Sequence, residues 1–142
     1  LVGGIANAIE PGKRPLSSMT PTIVFDTTGA PILATGSPGG SRIITTVLQM
    51  IINVVDQGMN IAAATAAPRV HHQWIPDVLR IEQGFSPDTR VILEQRGHVL
   101  SPQSSMGSLQ TVGIQDGVYI GASDSRRPGA ASVAPGFQTD VD

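Results

Sequence analysis

Two short runs in this 142-residue chain carry residue types that could do chemistry. Gly36-Ser37-Pro38-Gly39-Gly40-Ser41 stands between an apolar stretch and a segment with helical spacing, so it reads as a turn from a strand into a helix start. Backbone N–H groups at such a start have no intrahelical partner. Glycines let another molecule approach them, and the helix dipole favours negative charge at that end. Two chemistries follow equally well: a phosphate cradle or an oxyanion hole. The run lacks the lysine of a Walker loop and the spacing of a dinucleotide fingerprint, which weighs against phosphate. A tight turn whose glycines only relieve crowding accounts for the spacing as well. The second run, Arg14-Pro15-Leu16-Ser17-Ser18-Met19, offers two adjacent hydroxyls. In a loop they can equally satisfy the loop's own backbone.

Other polar groups carry less. Adjacent strand residues point to opposite faces, so His71 and His72 cannot easily share one metal ion, and a structural role is expected. His98, after Gly97, reads as a solvated loop residue. Asp124 and Arg126 read as an ion pair fixing the tail, and Trp74 and Phe85 as core or subunit-interface anchors. With no cysteine, neither a disulfide framework nor a thiolate metal site is possible. No cofactor motif is visible, so no cofactor and no metal are expected. Net charge is −2, the nine basic residues are scattered, and the aromatics are one Trp, one Tyr and three Phe. That balance gives no nucleic-acid stripe and few stacking platforms, so no nucleic-acid partner is expected.

The elements that must position these groups follow from periodicity. The chain is 40% hydrophobic and 14% charged, as a packed single domain requires. So few charges also raise the expectation that part of the surface is covered by another segment or chain. Residues 1–21, rich in Gly, Pro and Ser, read as an extended loop. Thr22–Asp26 and Ile32–Thr35 flank a Gly-containing turn and predict a β-hairpin. Both runs are continuously apolar, which predicts a sheet covered on both faces. Apolar positions from Ile43 to Val55 recur at helical spacing. They predict a helix over Ser41–Gln57, with Thr45, Gln49, Asn53 and Asp56 as its polar strip and Gly58 at its end. That polar strip excludes a membrane span.

Asn60 reads as the N-cap of a short helix through Ala66. Arg69–Gln73 and Val78–Glu82 read as strands, Pro87–Arg96 as a helix capped by Ser86, and Val99-Leu100 as a short strand. Leu109–Ile114 and Val118–Ala122 flank Gln115-Asp116-Gly117, a hairpin signal. Residues 124–142 read as a partly mobile tail. Strands and helices come in clusters, which predicts an α+β fold with an antiparallel sheet. Leu1-Val2-Gly3-Gly4-Ile5 has no signal-peptide character, and a chain beginning at Leu1 reads as a piece of something longer.

Taken together, Gly36-Ser37-Pro38-Gly39-Gly40-Ser41-Arg42-Ile43 and Arg14–Met19 resemble the paired signatures of γ-glutamyltranspeptidase small subunits. The resemblance continues through Thr45–Met50, Ala67-Pro68-Arg69, His71–Trp74, Gly84–Thr89 and Gly121–Asp124, and thins after Asp124. It implies part of a four-layer αββα N-terminal-nucleophile hydrolase with antiparallel sheets. This chain would be the C-terminal portion of the small subunit: residues 1–21 a substrate-side loop, 22–123 the core, 124–142 the tail.

The implied activity is transfer or hydrolysis of the γ-glutamyl group of glutathione and related amides through an acyl-threonine intermediate. The precursor of such an enzyme cleaves itself to expose that threonine, whose α-amine can serve as base for its own hydroxyl. By the match, Gly39 and Gly40 form the oxyanion hole and Ser17 and Ser18 bind the α-carboxylate of the γ-glutamyl donor. Arg14 lies beside them and receives no substrate contact. Water, an amino acid or a peptide would be the acceptor. The nucleophile segment, the acidic residues for the donor's α-amine and the large subunit's arginine clamp have no counterpart in this sequence, so the chain alone is expected to be inactive.

Its partners would be the large subunit and the upstream small-subunit segment. Self-association through exposed sheet edges is a further expectation, and periplasmic or extracellular placement is implied by the resemblance. The rival readings are a cephalosporin acylase or poly-γ-glutamate-processing relative of the same fold, and a non-catalytic anion- or phosphate-binding domain.

Overall fold

Asp26 shapes the first reversal of the chain. Its Oδ1 accepts from the Thr28 N–H at 2.8 Å, the Thr28 hydroxyl at 2.6 Å and the Ala30 N–H at 3.0 Å, an Asx turn that closes a hairpin. These bonds, led by that from the Thr28 side chain, hold the Asp26 carboxyl below its ordinary pKa. The structure is a computed structural model that describes residues 4–115 and 117–132. Leu1 to Gly3, Asp116 of the expected hairpin turn and the tail from 133 onward lie outside the described residues.

A 3-10 turn at Ile5–Asn7 precedes β1 (Thr22–Phe25), β2 (Pro31–Gly36), α1 (Arg42–Val55), α2 (Ile61–Ala66) and β3 (Val70–His71). Then come β4 (Leu79–Glu82), α3 (Pro87–Gln95), β5 (Leu100–Gln103), β6 (Gln110–Gln115) and β7 (Val118–Ser123). Residues 8–21 form neither helix nor strand.

Local chemistry sets the helix limits. Asn60 Oδ1 accepts from the Ala63 N–H at 2.8 Å and Ser86 Oγ from the Thr89 N–H at 3.2 Å, each capping its helix as the sequence predicts. Gly58, at φ 63°, turns the chain out of α1, and the Met59 N–H then reaches the Asn53 carbonyl at 2.9 Å. The polar strip of α1 meets β3 instead of solvent alone. The Gln49 side-chain amide donates to Val70 O and accepts from Val70 N, both at 2.9 Å, so it pairs with the strand as backbone would.

Strands β1, β2, β6 and β7 form one sheet in the order β1-β2-β6-β7, antiparallel throughout. The second sheet, β3-β4-β5, joins β3 and β4 antiparallel but β4 and β5 parallel. The parallel pair needs a crossover, and α3 supplies it. The whole is α+β.

Helices α1 and α2 cover one face of the four-stranded sheet. Leu33, Met50, Ile61, Ala64 and Leu109 form the core there, and Thr35 and Thr111 on the same face share a buried hydroxyl hydrogen bond of 2.9 Å. The opposite face is left open by the described residues of this chain. Register aligns Ile23, Ala34, Val112 and Gly121 across the sheet, and Ile23, Phe25, Val112 and Tyr119 remain 49–59% exposed. The apolar run is continuous, yet the described residues bury only alternate positions. A concavity of about 1150 Å³ lies on this open face, between Pro21 and Ala130–Ser132. Trp74 is 68% exposed, so of the two expected roles it does not fill the core one.

Candidate active site

The glycine run joins β2 to α1 as expected. Gly39 at φ 143° and Gly40 at φ 59° take backbone conformations that favour glycine. Their carbonyls accept from the first amides of α1, Arg42 N–H to Gly39 O at 3.2 Å and Ile43 N–H to Gly40 O at 3.1 Å. Among the described residues no acceptor is bonded to the Gly39 or Gly40 N–H. Two amides at the positive end of a 14-residue helix are thus left for an anionic oxygen.

Ser18 meets this turn directly. Its hydroxyl donates to Gly40 O at 2.7 Å, tying the 14–19 loop to the helix start from 22 residues away. Ser17 Oγ accepts from the Met19 N–H at 3.2 Å, a local loop contact. In this ligand-free chain both hydroxyls therefore bond to backbone, and the structure places Ser17 beside the turn without linking it to the glycines. Arg14 is exposed.

The turn is backed by residues 106–109. Ser37 Oγ accepts from the Ser108 N–H at 2.9 Å and donates to Pro38 O at 2.8 Å. Gly107, at φ 71°, packs so closely that a Cβ there would lie 2.7 Å from Ser37 Oγ and 3.0 Å from the Thr46 side chain.

A buried cluster of four charges pins that backing segment. Arg69 Nη2 contacts Asp124 Oδ2 at 2.6 Å and donates to Thr65 O at 2.9 Å, while Arg69 Nη1 donates to Met106 O at 2.7 Å. Asp124 Oδ2 also accepts from the Leu109 N–H at 2.7 Å. Arg126 grips Glu82 with Nε at 2.8 Å and Nη2 at 2.6 Å, and Asp124 with Nη1 at 3.1 Å. Glu82 in turn accepts from the N–H groups of Arg69 and Met106. Two guanidiniums and two carboxylates balance, which is how buried charge is tolerated.

Burial pushes the Arg69 guanidinium below its ordinary pKa, although its bond to Asp124 works the other way. Burial alone would raise Asp124, but the amides of Arg126 and Leu109 and the Arg69 guanidinium outweigh it and hold the carboxyl below its ordinary value. Burial likewise opposes the charge on Arg126, and its bonds to Glu82 and Asp124 more than offset that, raising its pKa. The expected Asp124–Arg126 pair exists; Arg69 and Glu82 were not anticipated. The signal available was charge set among strand residues, as with Arg80 and Glu82 in Leu79-Arg80-Ile81-Glu82.

The two histidines separate. His71 is buried, with Nδ1 2.7 Å from Thr45 Oγ1 and Nε2 3.0 Å from Gln73 Oε1, while His72 Nε2 lies 2.9 Å from Asp77 Oδ1 at the surface. His98 is exposed after α3.

The helices packed on an antiparallel sheet, with the glycine turn at a helix start, match solved gamma-glutamyltranspeptidases, which gives the chain the N-terminal-nucleophile hydrolase fold. The Gamma-glutamyltranspeptidase family model matches residues 2–134, and the chain belongs to that family. It is 60% identical over 127 residues to the Glutathione hydrolase proenzyme of Escherichia coli (strain K12), a match covering 89% of this chain and 22% of that protein. The chain thus spans less than a quarter of the length of this curated relative. The crystal structure of the Helicobacter pylori gamma-glutamyltranspeptidase T380A mutant superposes with a TM-score of 0.83 at 50% identity, covering 89% of this chain and 70% of that one. Cephalosporin acylase from Bacillus halodurans is more distant, with a TM-score of 0.63 and 27% identity over 69% of this chain, so the acylase reading is not favoured. No helix among the described residues is long and apolar enough to cross a membrane.

Proposed function

We propose that this chain is the C-terminal portion of the small subunit of an enzyme that hydrolyses or transfers the γ-glutamyl group of glutathione and related amides. The observation that carries the reading is the pair of unpartnered amides at Gly39 and Gly40, with Ser18 bonded to Gly40 beside them. A threonine hydroxyl from the upstream segment attacks the γ-carbonyl carbon, and its proton passes to the threonine's own α-amine. The carbonyl oxygen becomes anionic and accepts from the two glycine N–H groups. Collapse expels the amine, leaving an acyl-threonine that water, an amino acid or a peptide resolves. Ser17 and Ser18 turn their hydroxyls from backbone to the donor's α-carboxylate.

The large subunit and the upstream segment complete the site, and the open apolar sheet face is consistent with a covering partner. A periplasmic or extracellular enzyme fits the family reading.

The test is release of p-nitroaniline from γ-glutamyl-p-nitroanilide. The full-length protein should turn it over, this chain alone should not, and Gly39→Ala/Gly40→Ala should lose at least about 10²-fold in kcat. Nucleotide or phosphate binding by a full-length protein without that activity would overturn the proposal in favour of an anion-binding domain.

A further inference from the structure

Ser41 occupies the N-cap position of α1 but does not cap it. Its backbone is already helical, at φ −61° and ψ −21°, and its side chain makes no bond to the helix amides. The hydroxyl instead donates outward to Gln73 Oε1 at 2.8 Å. The Gln73 amide is oriented by its other end, since Nε2 donates to Ile75 O at 2.9 Å. Its oxygen faces three donors at once: Ser41, Arg80 Nη1 at 3.3 Å and His71 Nε2 at 3.0 Å. An amide oxygen only accepts, so His71 carries its proton on Nε2. With that tautomer Nδ1 accepts from the Thr45 hydroxyl, 2.7 Å away, which takes that proton from the Arg42 carbonyl at 3.2 Å.

Residues 41 and 45, one turn apart on α1, are thereby fastened to the sheet formed by β3 and β4. We infer that Gln73 is a positioning residue for the oxyanion hole, holding the first turn of α1 through Ser41 so that the Gly39 and Gly40 amides keep one direction. Adjacent glycines set no direction of their own. Before the donor binds, Ser18 also holds the turn from the loop side through Gly40 O; once that hydroxyl turns to the donor's carboxylate, Gln73 holds it from the sheet side through the residue that follows Gly40. His71, 2% exposed, gives the anchor a buried footing. The inference rests on the reading of Gly39 and Gly40 proposed above.

The experiment compares the full-length enzyme with Gln73→Ala and Gln73→Glu. Gln73→Ala removes the accepting oxygen and should lower kcat for γ-glutamyl-p-nitroanilide about tenfold with KM within about twofold, the split expected when a transition-state contact is misaimed. Gln73→Glu keeps an acceptor for Ser41, Arg80 and His71 but gives up the donation to Ile75 O, and should recover part of the loss. Long-range ¹H–¹⁵N spectra of histidine-labelled protein should report His71 protonated at Nε2 in the wild type and a changed ring signal in Gln73→Ala. An active wild type whose kcat is unmoved by Gln73→Ala, or whose His71 proton sits on Nδ1, would overturn this inference alone. An inactive wild type would overturn the proposed activity and the inference with it.

Discussion

Gly107→Ala is the sharpest probe of the wall behind the glycine turn. The new methyl would sit 2.7 Å from Ser37 Oγ and 3.0 Å from Thr46, where ordinary contacts lie at 3.4–4 Å. Inserting one carbon into a packed site costs about 1–3 kcal/mol. Holding alanine at φ 71° adds about 1–2 kcal/mol. If Ser37 swings aside it loses the Ser108 N–H, about 1 kcal/mol more. The expected loss is therefore about 2–6 kcal/mol, read by urea unfolding of the full-length enzyme.

Gly58→Ala is the matched control. Its φ is 63°, yet nothing lies within 4 Å of a Cβ there, so it should lose only the backbone term, about 1–2 kcal/mol. Because Ser37 adjoins Pro38 and Gly39, Gly107→Ala should also lower kcat, whereas Gly58→Ala should not. Equal losses in the two variants, with equal kcat, would refute the claim that residues 106–109 brace the turn.

Arg69→Leu leaves the Asp124 carboxylate buried against one remaining guanidinium, and should destabilise the enzyme by about 3–5 kcal/mol in the same unfolding assay. Asp124 has a depressed native pKa, so its contribution is complete above the unfolded value near about 3.9 and disappears as pH falls from there through the native value. The stability gap between wild type and Asp124→Asn should accordingly be full at neutral pH and narrow below about pH 4 in acid-unfolding curves. Trp74→Ala should change unfolding free energy by no more than about 0.5 kcal/mol, since the ring lies mostly in solvent.

Features carried by near neighbours were legible in the sequence. Asn60 and Ser86 cap helices through bonds to residues three positions away, and the Asp26 turn closes within four. The glycine turn was legible for the same reason, because a strand end, two glycines and a helix start are contiguous. What was hidden depends on distance along the chain. Arg69 finds Asp124 55 residues later, and Arg126 reaches back 44 to Glu82, with no periodicity to announce either pairing. The parallel alignment of β5 with β4 depends on where α3 packs rather than on Leu100–Gln103 itself. Burial was legible for the inner face alone. An alternating pattern marks a one-faced sheet only when its outer residues are polar, and here Ile23, Phe25 and Val112 are apolar on the open side. The link between Ser18 and the glycines was expected only from the family resemblance, since 22 residues separate them.

The buried charge cluster also imposes an order on biosynthesis. The glycine turn leaves the ribosome before the wall behind it can be held, because that wall depends on Asp124 and Arg126, which emerge after every described strand and helix. A nascent chain can form the β1–β2 hairpin and α1 while Met106 and Leu109 still lack the Asp124 side of their anchorage. Translation arrested before Arg126 would yield a product with its helices in place and its anion-facing turn unbraced, so the rigidity of the site waits on the synthesis of residues 124–126.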